Sequence, residues 1–286
     1  MRVLILGKNG MLGHDMEKVF MDTDVIALGS AGLNITDKDA VFEQLMTVMP
    51  DIVINCTGFT NVDGAENDEE QANEVNGYGV GVLARGCREI DATLVHFSTD
   101  YVFHGNKKSG YNEDDSSNPI NAYGRSKALG EQLIMDEMES VNAQNPKEGK
   151  YFIVRTSWLF GKHGKNFVET MIDLSSREEP LRVVDDQFGK PTYTMDLCEQ
   201  VKWLALSHEY PSGIYHITNE GTTTWFRFAK KIFELSKIRG RMVPCTTDEF
   251  KRPARRPKFS ALTNNMLPKL RPWEDALVDY LSSRNT

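Results

Sequence analysis

Short apolar runs alternate with longer segments of helical spacing along the first half of the chain. The first apolar run covers Arg2–Leu6, helical spacing follows at 11–21, and a second apolar run covers 25–28. A strand, a helix and a strand in this order form a βαβ unit. The alternation predicts further elements: a helix at about 37–48, a strand at Ile52–Asn55, a long helix at about 68–90, a strand at 93–98, a helix at about 122–142, a loop at 145–150 and a strand at 152–156.

This alternation predicts an α/β fold of the Rossmann-like kind, a doubly wound parallel sheet with helices on both faces. After Trp158 the pattern loosens into short strands, such as 182–184 and 214–217, between helices near 167–176, 195–207 and 226–236. We therefore predict a main domain over 1–160, with an element returning to it near 192–218. Residues 161–286 should form a smaller C-terminal α/β domain.

Composition and charge narrow the class of protein. Hydrophobic residues make up 40% and charged residues 26% of the chain, and the formal net charge is -8. These values are typical of a folded globular protein and argue against nucleic acid as a partner. No apolar run near the start is long enough for a secretory signal or a membrane span, so we expect no membrane association. The cysteines have no paired spacing, which fits a reducing cytoplasm; they are Cys56, Cys87, Cys198 and Cys245.

A glycine-rich turn follows the first predicted strand. It has the G-x-x-G-x-x-G pattern and opens the first helix. Glycine lets the backbone turn tightly and approach a pyrophosphate, whose charge is stabilised by the free N–H groups of the helix N-terminus. The alternative is a glycine-rich turn with no binding role, but the position inside a βαβ unit favours a dinucleotide site. Its predicted contacts are Gly7, Lys8, Asn9, Gly10, Met11, Leu12 and Gly13.

The end of the second strand bears on which dinucleotide binds. An NAD site usually places a carboxylate there, on the ribose 2'-hydroxyl. Here the residues are Leu28, Gly29, Ser30 and Ala31, so no acid repels a 2'-phosphate. Lys8 and Ser30 are polar neighbours for that phosphate. The sequence favours NADPH and leaves NADH open, because no arginine is present at this point.

A hydroxyl, a phenol and an amine form the candidate catalytic group. Thr99 stands at the carboxyl end of the fourth predicted strand, where ligands of open α/β sheets bind. Tyr123 and Lys127 lie four residues apart and share one face of the next helix. Reduction of a ketone needs a proton donor and a hydrogen-bond partner at its oxygen. We predict that Tyr123 donates, that Thr99 orients the oxygen, and that Lys127 lowers the pKa of the phenol.

Several motifs together resemble the dTDP-4-dehydrorhamnose reductase family, within the extended short-chain dehydrogenases. They are the glycine turn at 7–13, the segments 98–103, 123–127 and 155–158, and the run Asp186-Gln187-Phe188-Gly189-Lys190-Pro191-Thr192. The resemblance runs nearly end to end. It implies NADPH-dependent reduction of the carbon-4 ketone of dTDP-4-dehydro-L-rhamnose to dTDP-L-rhamnose, for surface polysaccharides.

The resemblance also implies roles for individual residues. Thr99, Tyr123 and Lys127 match the catalytic triad, and Gly10 to Leu12 match the pyrophosphate loop. Substrate contacts are implied at Thr99, Asp100, Trp158 and Arg256, the last as a bidentate grip on the diphosphate, with a solvated basic loop as the equal alternative. Further cofactor contacts are implied at Ser30, Asn34, Ile35, Gly58, Thr60, Ser98, Tyr123 and Lys127.

The chain departs from the family pattern at the adenosine side of the expected cofactor site. Asn34 stands before Ile35 where an acid is common, and Cys56, Thr57 and Gly58 replace an alanine run. These departures do not change the predicted fold, but they weaken the prediction of NADPH over NADH as the cofactor. Some relatives bind magnesium at a dimer contact, which here only Asp15 matches loosely, so we predict no metal. A homodimer stays open.

Three other functions share most of these features. A related dTDP- or UDP-4-keto-6-deoxy-sugar reductase would differ in a few contacts of the smaller domain. A sugar-nucleotide dehydratase or epimerase shares the fold and the Tyr and Lys pair. Dehydratases of the class follow the threonine with Asp and Glu, whereas here Tyr101 follows Asp100, which favours simple reduction. A noncatalytic NADP-binding regulatory subunit, like the β subunit of methionine adenosyltransferase, also resembles this chain. The intact Thr99, Tyr123 and Lys127 argue against that role.

Overall fold

The computed structural model describes residues 1–140, 149–177 and 179–284. Six parallel strands form one sheet in the order β10-β5-β4-β3-β1-β2. The doubly wound parallel sheet predicted from the sequence is confirmed. The strands are β1 (Arg2–Leu6), β2 (Asp24–Leu28), β3 (Ile52–Asn55), β4 (Thr93–Thr99), β5 (Tyr151–Thr156), β6 (Leu159–Phe160), β7 (Leu181–Val184), β8 (Phe188–Gly189), β9 (Thr192–Tyr193), β10 (Gly213–His216), β11 (Thr223–Thr224) and β12 (Met242–Cys245).

Ten α-helices accompany these strands in the described residues. They are α1 (Met11–Val19), α2 (Lys38–Val48), α3 (Val62–Ala65), α4 (Glu69–Asn73), α5 (Gly79–Glu89), α6 (Ala122–Glu139), α7 (Phe167–Leu174), α8 (Thr194–Leu206), α9 (Trp225–Leu235) and α10 (Trp273–Ser283). The helix predicted at 122–142 ends at Glu139 in the structure. Positions 141 and 142 of that prediction, and 145–148 of the predicted loop, lie outside the described residues.

Alternate side chains of the central strands point to opposite faces of the sheet. Val3 and Ile5 pack into a core with α1 and α8, and Leu4 and Leu6 pack into a second core with α2, α5 and α6. All four are at most 1% exposed. Strands buried on both faces read as continuous apolar runs, which is why the sequence pattern located them well. The layers bring the carboxyl ends of the strands to one open edge.

The long helix predicted at 68–90 is interrupted. A π-turn at Glu74–Tyr78 joins α4 to α5. The turn carries Asn76, whose side chain bonds both the N–H and the C=O of Phe59 and the hydroxyl of Ser126. A π-turn inserts one extra residue into a helix and often marks a functional site. Here it points an amide at the loop after β3, which hydrophobic spacing cannot reveal.

The C-terminal part is held mainly by aromatic side chains. Phe160, Phe228, Trp273 and Tyr280 belong to a third core between α7, α9 and α10. Its short strands pair two by two, β6 with β9, β7 with β12 and β8 with β11, whereas β10 joins the main sheet beside β5. Helix α10 was not predicted, although it buries Trp273, Ala276, Leu277 and Tyr280 at helical spacing. None of the helices described is long and apolar enough to cross a membrane.

Candidate active site

A cavity of about 590 Å³ opens at the carboxyl ends of the strands. This is the edge at which open α/β sheets bind ligands. Residues from seven segments line it: Gly10, Met11, Leu12, Cys56, Thr57, Gly58, Phe59, Thr60, Asn76, Phe97, Ser98, Thr99, Asp100, Tyr123, Lys127, Thr156, Ser157, Trp158, Leu159, Gly164 and Lys165. The three side chains predicted to act together therefore lie in one cavity.

The end of β4 delivers a hydroxyl and a carboxyl to the cavity. The Thr99 hydroxyl caps the short 3-10 turn that follows the strand, accepting from the Tyr101 N–H at 3.2 Å, and donates to Asp100 Oδ1 at 3.1 Å. Both side chains are buried, at 7% and 2% exposed. The turn ends the strand at Thr99, one residue beyond the predicted end, and both groups line the cavity.

The start of α6 places the phenol and the amine. Asn121 caps the helix by accepting from the Gly124 N–H at 2.7 Å. A Cβ at Gly124 would lie 2.2 Å from the Tyr101 carbonyl oxygen, so glycine lets the helix approach the turn after β4. This close approach sets the Tyr123 ring 5.9 Å from the Tyr101 ring, edge to face. Tyr123 and Lys127 then follow one above the other.

Burial governs the acidity of the phenol. It raises the pKa of Tyr123 to about 12, whereas a hydrogen bond with Thr99 acts in the opposite direction and the charge of Asp100 adds to the rise. Burial is the largest cause and Lys127 is not among the groups that shift this pKa here, so the expected lowering by Lys127 stays a prediction. Removal of the phenol from water outweighs the stabilisation of its anion. The phenol therefore keeps its proton throughout the neutral range.

Lys127 itself is held away from solvent. Its side chain is 4% exposed, and Nζ lies 3.1 Å from His96 Nε2. Burial lowers the pKa of Lys127 to about 8, and the charge of Glu131 opposes that shift. The sequence did not single out His96, although it lies on β4 three residues before Thr99. Its side chain alternates to the same side as the helix.

The Asp100 carboxyl has an unusual environment. Burial raises its pKa to about 7, while hydrogen bonds from Ser260 and Thr99 act to lower it. Oδ2 is buried and has no hydrogen-bond partner among the described residues. A buried polar atom without a partner costs about 1 to 3 kcal/mol, so this oxygen is available to a ligand hydroxyl.

The glycine turn shapes the opposite end of the cavity. Gly7 has φ +83°, and a Cβ there would lie 2.8 Å from the Cys56 carbonyl. A Cβ at Gly13 would lie 2.2 Å from the Gly7 oxygen. Gly10 is the N-cap of α1, and because glycine carries no capping side chain, the first N–H groups of the helix remain available. Met11 and Leu12 carry those groups at the cavity lining.

Seven predicted cofactor contacts do not line this cavity. Two are the packing glycines Gly7 and Gly13, and Ile35 is 3% exposed inside the second core. The other four are Lys8, Asn9, Ser30 and Asn34. Asn9 packs against Gly29, and Asn34 accepts from the Thr36 hydroxyl at 3.0 Å. The cavity therefore covers the pyrophosphate and reaction end of the predicted site, and contacts at the adenosine end stay a prediction.

Arg256 is engaged by a carboxylate of the chain. Its Nη2 lies 2.9 Å from Asp63 Oδ2, and Nη1 pairs with Asp63 Oδ1 and with the Ala254 carbonyl. This bond with Asp63 raises the pKa of the guanidinium against the effect of burial. Both Nη atoms of Arg256 bond to Asp63, and the residue does not line the cavity. Its contact with the diphosphate stays a prediction.

Trp158 forms an aromatic wall of the cavity. Its backbone has φ +49°, a conformation that bulky residues rarely adopt. The indole stacks on Trp225 with ring centroids 3.6 Å apart and planes 10° from parallel. A Cβ at Gly189 would lie 2.5 Å from the Trp158 indole. Trp225 follows Thr224, the N-cap of α9, and its ring lies behind this wall.

Ten lining residues were not predicted to act at the site. Most come from loops whose course the hydrophobic pattern does not fix, as at Phe59 and Lys165. Phe97, Thr156 and Leu159 lie on strands, and the π-turn brings in Asn76. Within the described residues no group of three or more His, Cys, Asp or Glu side chains could hold a metal ion.

Comparisons with known proteins agree along the whole chain. The model of the RmlD substrate binding domain matches residues 1–285. The spore coat polysaccharide biosynthesis protein SpsK of Bacillus subtilis is 39% identical over 100% of this chain and 98% of that protein. A dTDP-4-dehydrorhamnose reductase of Streptomyces griseus is 39% identical, over 97% of this chain and 92% of that protein.

A solved structure adds a ligand to the comparison. The dTDP-4-dehydrorhamnose reductase of Bacillus anthracis in complex with NADP superposes with a TM-score of 0.92, at 38% identity over 99% of each chain. Matches of this length and identity identify the family. The chain belongs to the RmlD substrate binding domain family, among oxidoreductases named dTDP-4-dehydrorhamnose reductase.

Proposed function

We propose that this protein reduces the 4-keto group of dTDP-4-dehydro-L-rhamnose to give dTDP-L-rhamnose, with NADPH as the reductant. The observation that carries the proposal is the meeting of Thr99, Tyr123 and Lys127 in one cavity with the first turn of α1. A proton donor and an anion-binding helix terminus are the two features that such a reduction needs. The named reductases among the relatives support the same reaction.

The residues present fit a dinucleotide. Gly7 and Gly13 let the turn pack tightly against its own backbone, and this packing presents the first backbone N–H groups of α1 at the cavity, where a pyrophosphate can approach them. Gly10, Met11 and Leu12 would hold the pyrophosphate. The end of β2 has no acid in Leu28, Gly29, Ser30 or Ala31 to repel a 2'-phosphate, which favours NADPH. When bound, NADPH supplies the hydride.

Tyr123 supplies the proton to the ketone oxygen. Because its pKa lies near 12, the phenol is protonated at neutral pH and is ready to donate. Thr99 lies within hydrogen-bond reach of the phenol, and when substrate binds its single hydroxyl proton turns from Asp100 Oδ1 to the ketone oxygen and orients it. Lys127 then stabilises the phenolate and returns a proton to it. A pKa near 8 suits that task, because a proton held much more tightly would pass slowly.

The sugar is placed between the carboxyl and the indole. Asp100 Oδ2, buried without a partner among the described residues, accepts a hydrogen bond from a sugar hydroxyl, or donates one when protonated. Trp158 offers its ring at the cavity surface as an apolar platform. These two contacts fix which face of the ketone meets the reductant.

A panel of nucleotide sugars tests the proposal. Purified protein is given NADPH with dTDP- and UDP-linked 4-keto-6-deoxy sugars, and the loss of reduced-nicotinamide absorbance is followed. We expect stoichiometric oxidation, with the highest kcat/KM for dTDP-4-dehydro-L-rhamnose. An epimerase or dehydratase would consume no net NADPH. Tight NADPH binding with no oxidation for any sugar would overturn the proposal and favour a noncatalytic binding subunit.

A further inference from the structure

Behind the cavity, three buried polar side chains form a line that reaches Lys127. Asn55 ends β3 and His96 lies on β4, and both side chains are 0% exposed. Asn55 Nδ2 is 3.1 Å from His96 Nδ1, and His96 Nε2 is 3.1 Å from Lys127 Nζ. Neither Asn55 nor His96 lines the cavity. A buried polar line of this kind is costly unless each donor meets an acceptor.

The orientation of the Asn55 amide is fixed by its neighbour. Asn55 Oδ1 accepts from the Thr57 backbone N–H at 3.0 Å and from the Thr57 hydroxyl at 2.6 Å. A backbone N–H can only donate, so the oxygen belongs on that side and the NH₂ group faces His96. An NH₂ group can only donate as well. His96 Nδ1 must therefore accept.

Because Nδ1 of His96 accepts, the protonation of the other ring nitrogen, Nε2, is also determined. Burial holds the pKa of His96 well below its usual value, and the charge of Lys127 acts in the same direction, so the ring is neutral with one proton. That proton belongs on Nε2, which points at Lys127 Nζ. An ammonium has no lone pair to accept it, whereas an amine has one.

We propose that His96 is a positioning residue whose tautomer, fixed by Asn55, holds Lys127 as a hydrogen-bond acceptor and so favours its amine form. When Lys127 takes a proton from solvent, Nζ must donate to Nε2. The single ring proton of His96 then moves to Nδ1, where it meets the Asn55 NH₂ group. Proton uptake by Lys127 is thus coupled to the loss of the Asn55 hydrogen bond.

Other groups near Lys127 act on its charge from three elements. Glu131, on the same helix, favours the ammonium. The Glu131 carboxylate is already paired with Arg155 of β5 and accepts from Ser98 of β4. These bonds reduce the part of its charge that stabilises the Lys127 ammonium. Tyr123 and Asp100 share the cavity with Lys127. Among the described groups, the His96 line is the arrangement that opposes the ammonium by geometry.

This device keeps Lys127 able to exchange its proton in the working pH range, a role that rests on the proposed function. A free lysine, with a pKa near 10.4, would remain charged and would return protons slowly. The tautomer itself can be observed without any substrate. Failure of the reductase proposal and failure of this inference are therefore distinguishable.

Long-range proton–nitrogen NMR correlation of ¹⁵N-labelled protein reads the His96 tautomer directly. On the alkaline side of the Lys127 titration we expect a protonated Nε2 and a Nδ1 with the shift of an acceptor. A protonated Nδ1 under those conditions would overturn the inference. The measurement uses the unaltered chain, so it does not depend on whether a variant folds.

Asn55→Asp should reverse the tautomer preference of His96. The new carboxylate accepts from Nδ1–H, and Nε2 is then left to accept from the Lys127 ammonium. We expect the alkaline limb of kcat/KM to move up by about one pH unit or more, which retains about tenfold more activity there. In a His96→Phe background the same change should shift the limb at most slightly. An equal shift with and without His96 would assign the effect to charge alone and refute the tautomer mechanism.

Discussion

One wall of the cleft is built from hydrogen bonds and the other from stacked rings. The first consists of the end of β4 and the start of α6, where Thr99, Asp100 and Lys127 are at most 7% exposed. The second is the Trp158 ring, pressed between Trp225 and Gly189. The polar wall belongs to the main sheet and its helices, whereas the aromatic wall belongs to the loops and helices that follow β5.

The two walls divide the work of the site. Polar groups in a dry setting control proton position and charge, so a change there alters the chemical step. Rings contribute contact area and shape, which hold substrate and transition state alike and act on KM. The walls should therefore respond differently to substitution.

Tyr123→Phe should lower kcat by about two to four orders of magnitude, because the proton donor is lost while the ring remains. The KM for NADPH should stay within about threefold of the parent. Steady-state rates at saturating sugar measure both. Tyr101→Phe is the matched control, since its ring lies 5.9 Å from that of Tyr123 and its hydroxyl is outside the cavity lining. Equal losses in the two variants would remove Tyr123 from the mechanism.

Glu131→Gln should destabilise the fold behind the polar wall by about 3 to 5 kcal/mol, because Arg155 would keep a buried charge without its partner. The pair is 3% exposed on each side, with an Nε–Oε1 distance of 2.9 Å. Urea unfolding measures the loss. Arg125→Ala breaks an exposed pair with Glu69 and should cost at most about 1 kcal/mol. A similar loss of unfolding free energy in both variants would show that the buried pair contributes no more to stability than the exposed one.

The polar wall could be predicted from the sequence because its parts sit at fixed positions on regular elements. A residue at the carboxyl end of a strand must face the open edge of the sheet, which located Thr99. Spacing of four on a helix must place two side chains together, which located Tyr123 and Lys127. The acidity of the phenol was not predictable, since the burial that raises it depends on packing from distant segments.

The aromatic wall could not be predicted in the same way. The left-handed backbone at Trp158 and its stacking on Trp225 join segments 67 positions apart. Strands of two residues, such as β6 and β8, carry too little periodicity to be recognised. The role of His96 also escaped the pattern, because a buried histidine in a strand reads as core until its neighbours are known.

Asp100→Asn should change how stability depends on pH. The folded-state pKa of about 7 lies above the unfolded value of 3.8, so the carboxyl favours the fold fully below pH 3.8, and this contribution is lost as pH rises through 7. The amide has no such dependence. Relative to the parent, the variant should gain on the order of 4 kcal/mol between acid and alkaline conditions. If the difference in unfolding free energy between variant and parent were the same at every pH, the raised pKa of Asp100 would be refuted.

The smallest effect is expected at the aromatic wall, where Trp225→Ala removes the ring behind Trp158. The KM for the nucleotide sugar should rise about tenfold, or about 1.4 kcal/mol, with kcat within about threefold, because the unsupported Trp158 ring no longer holds its strained position. Trp225→Phe should restore part of the loss. Trp203→Ala, at an indole 43% exposed on α8, is the control and should leave KM unchanged. A fall in kcat alone would mean that the aromatic wall serves the chemical step, and the division between the walls would fail.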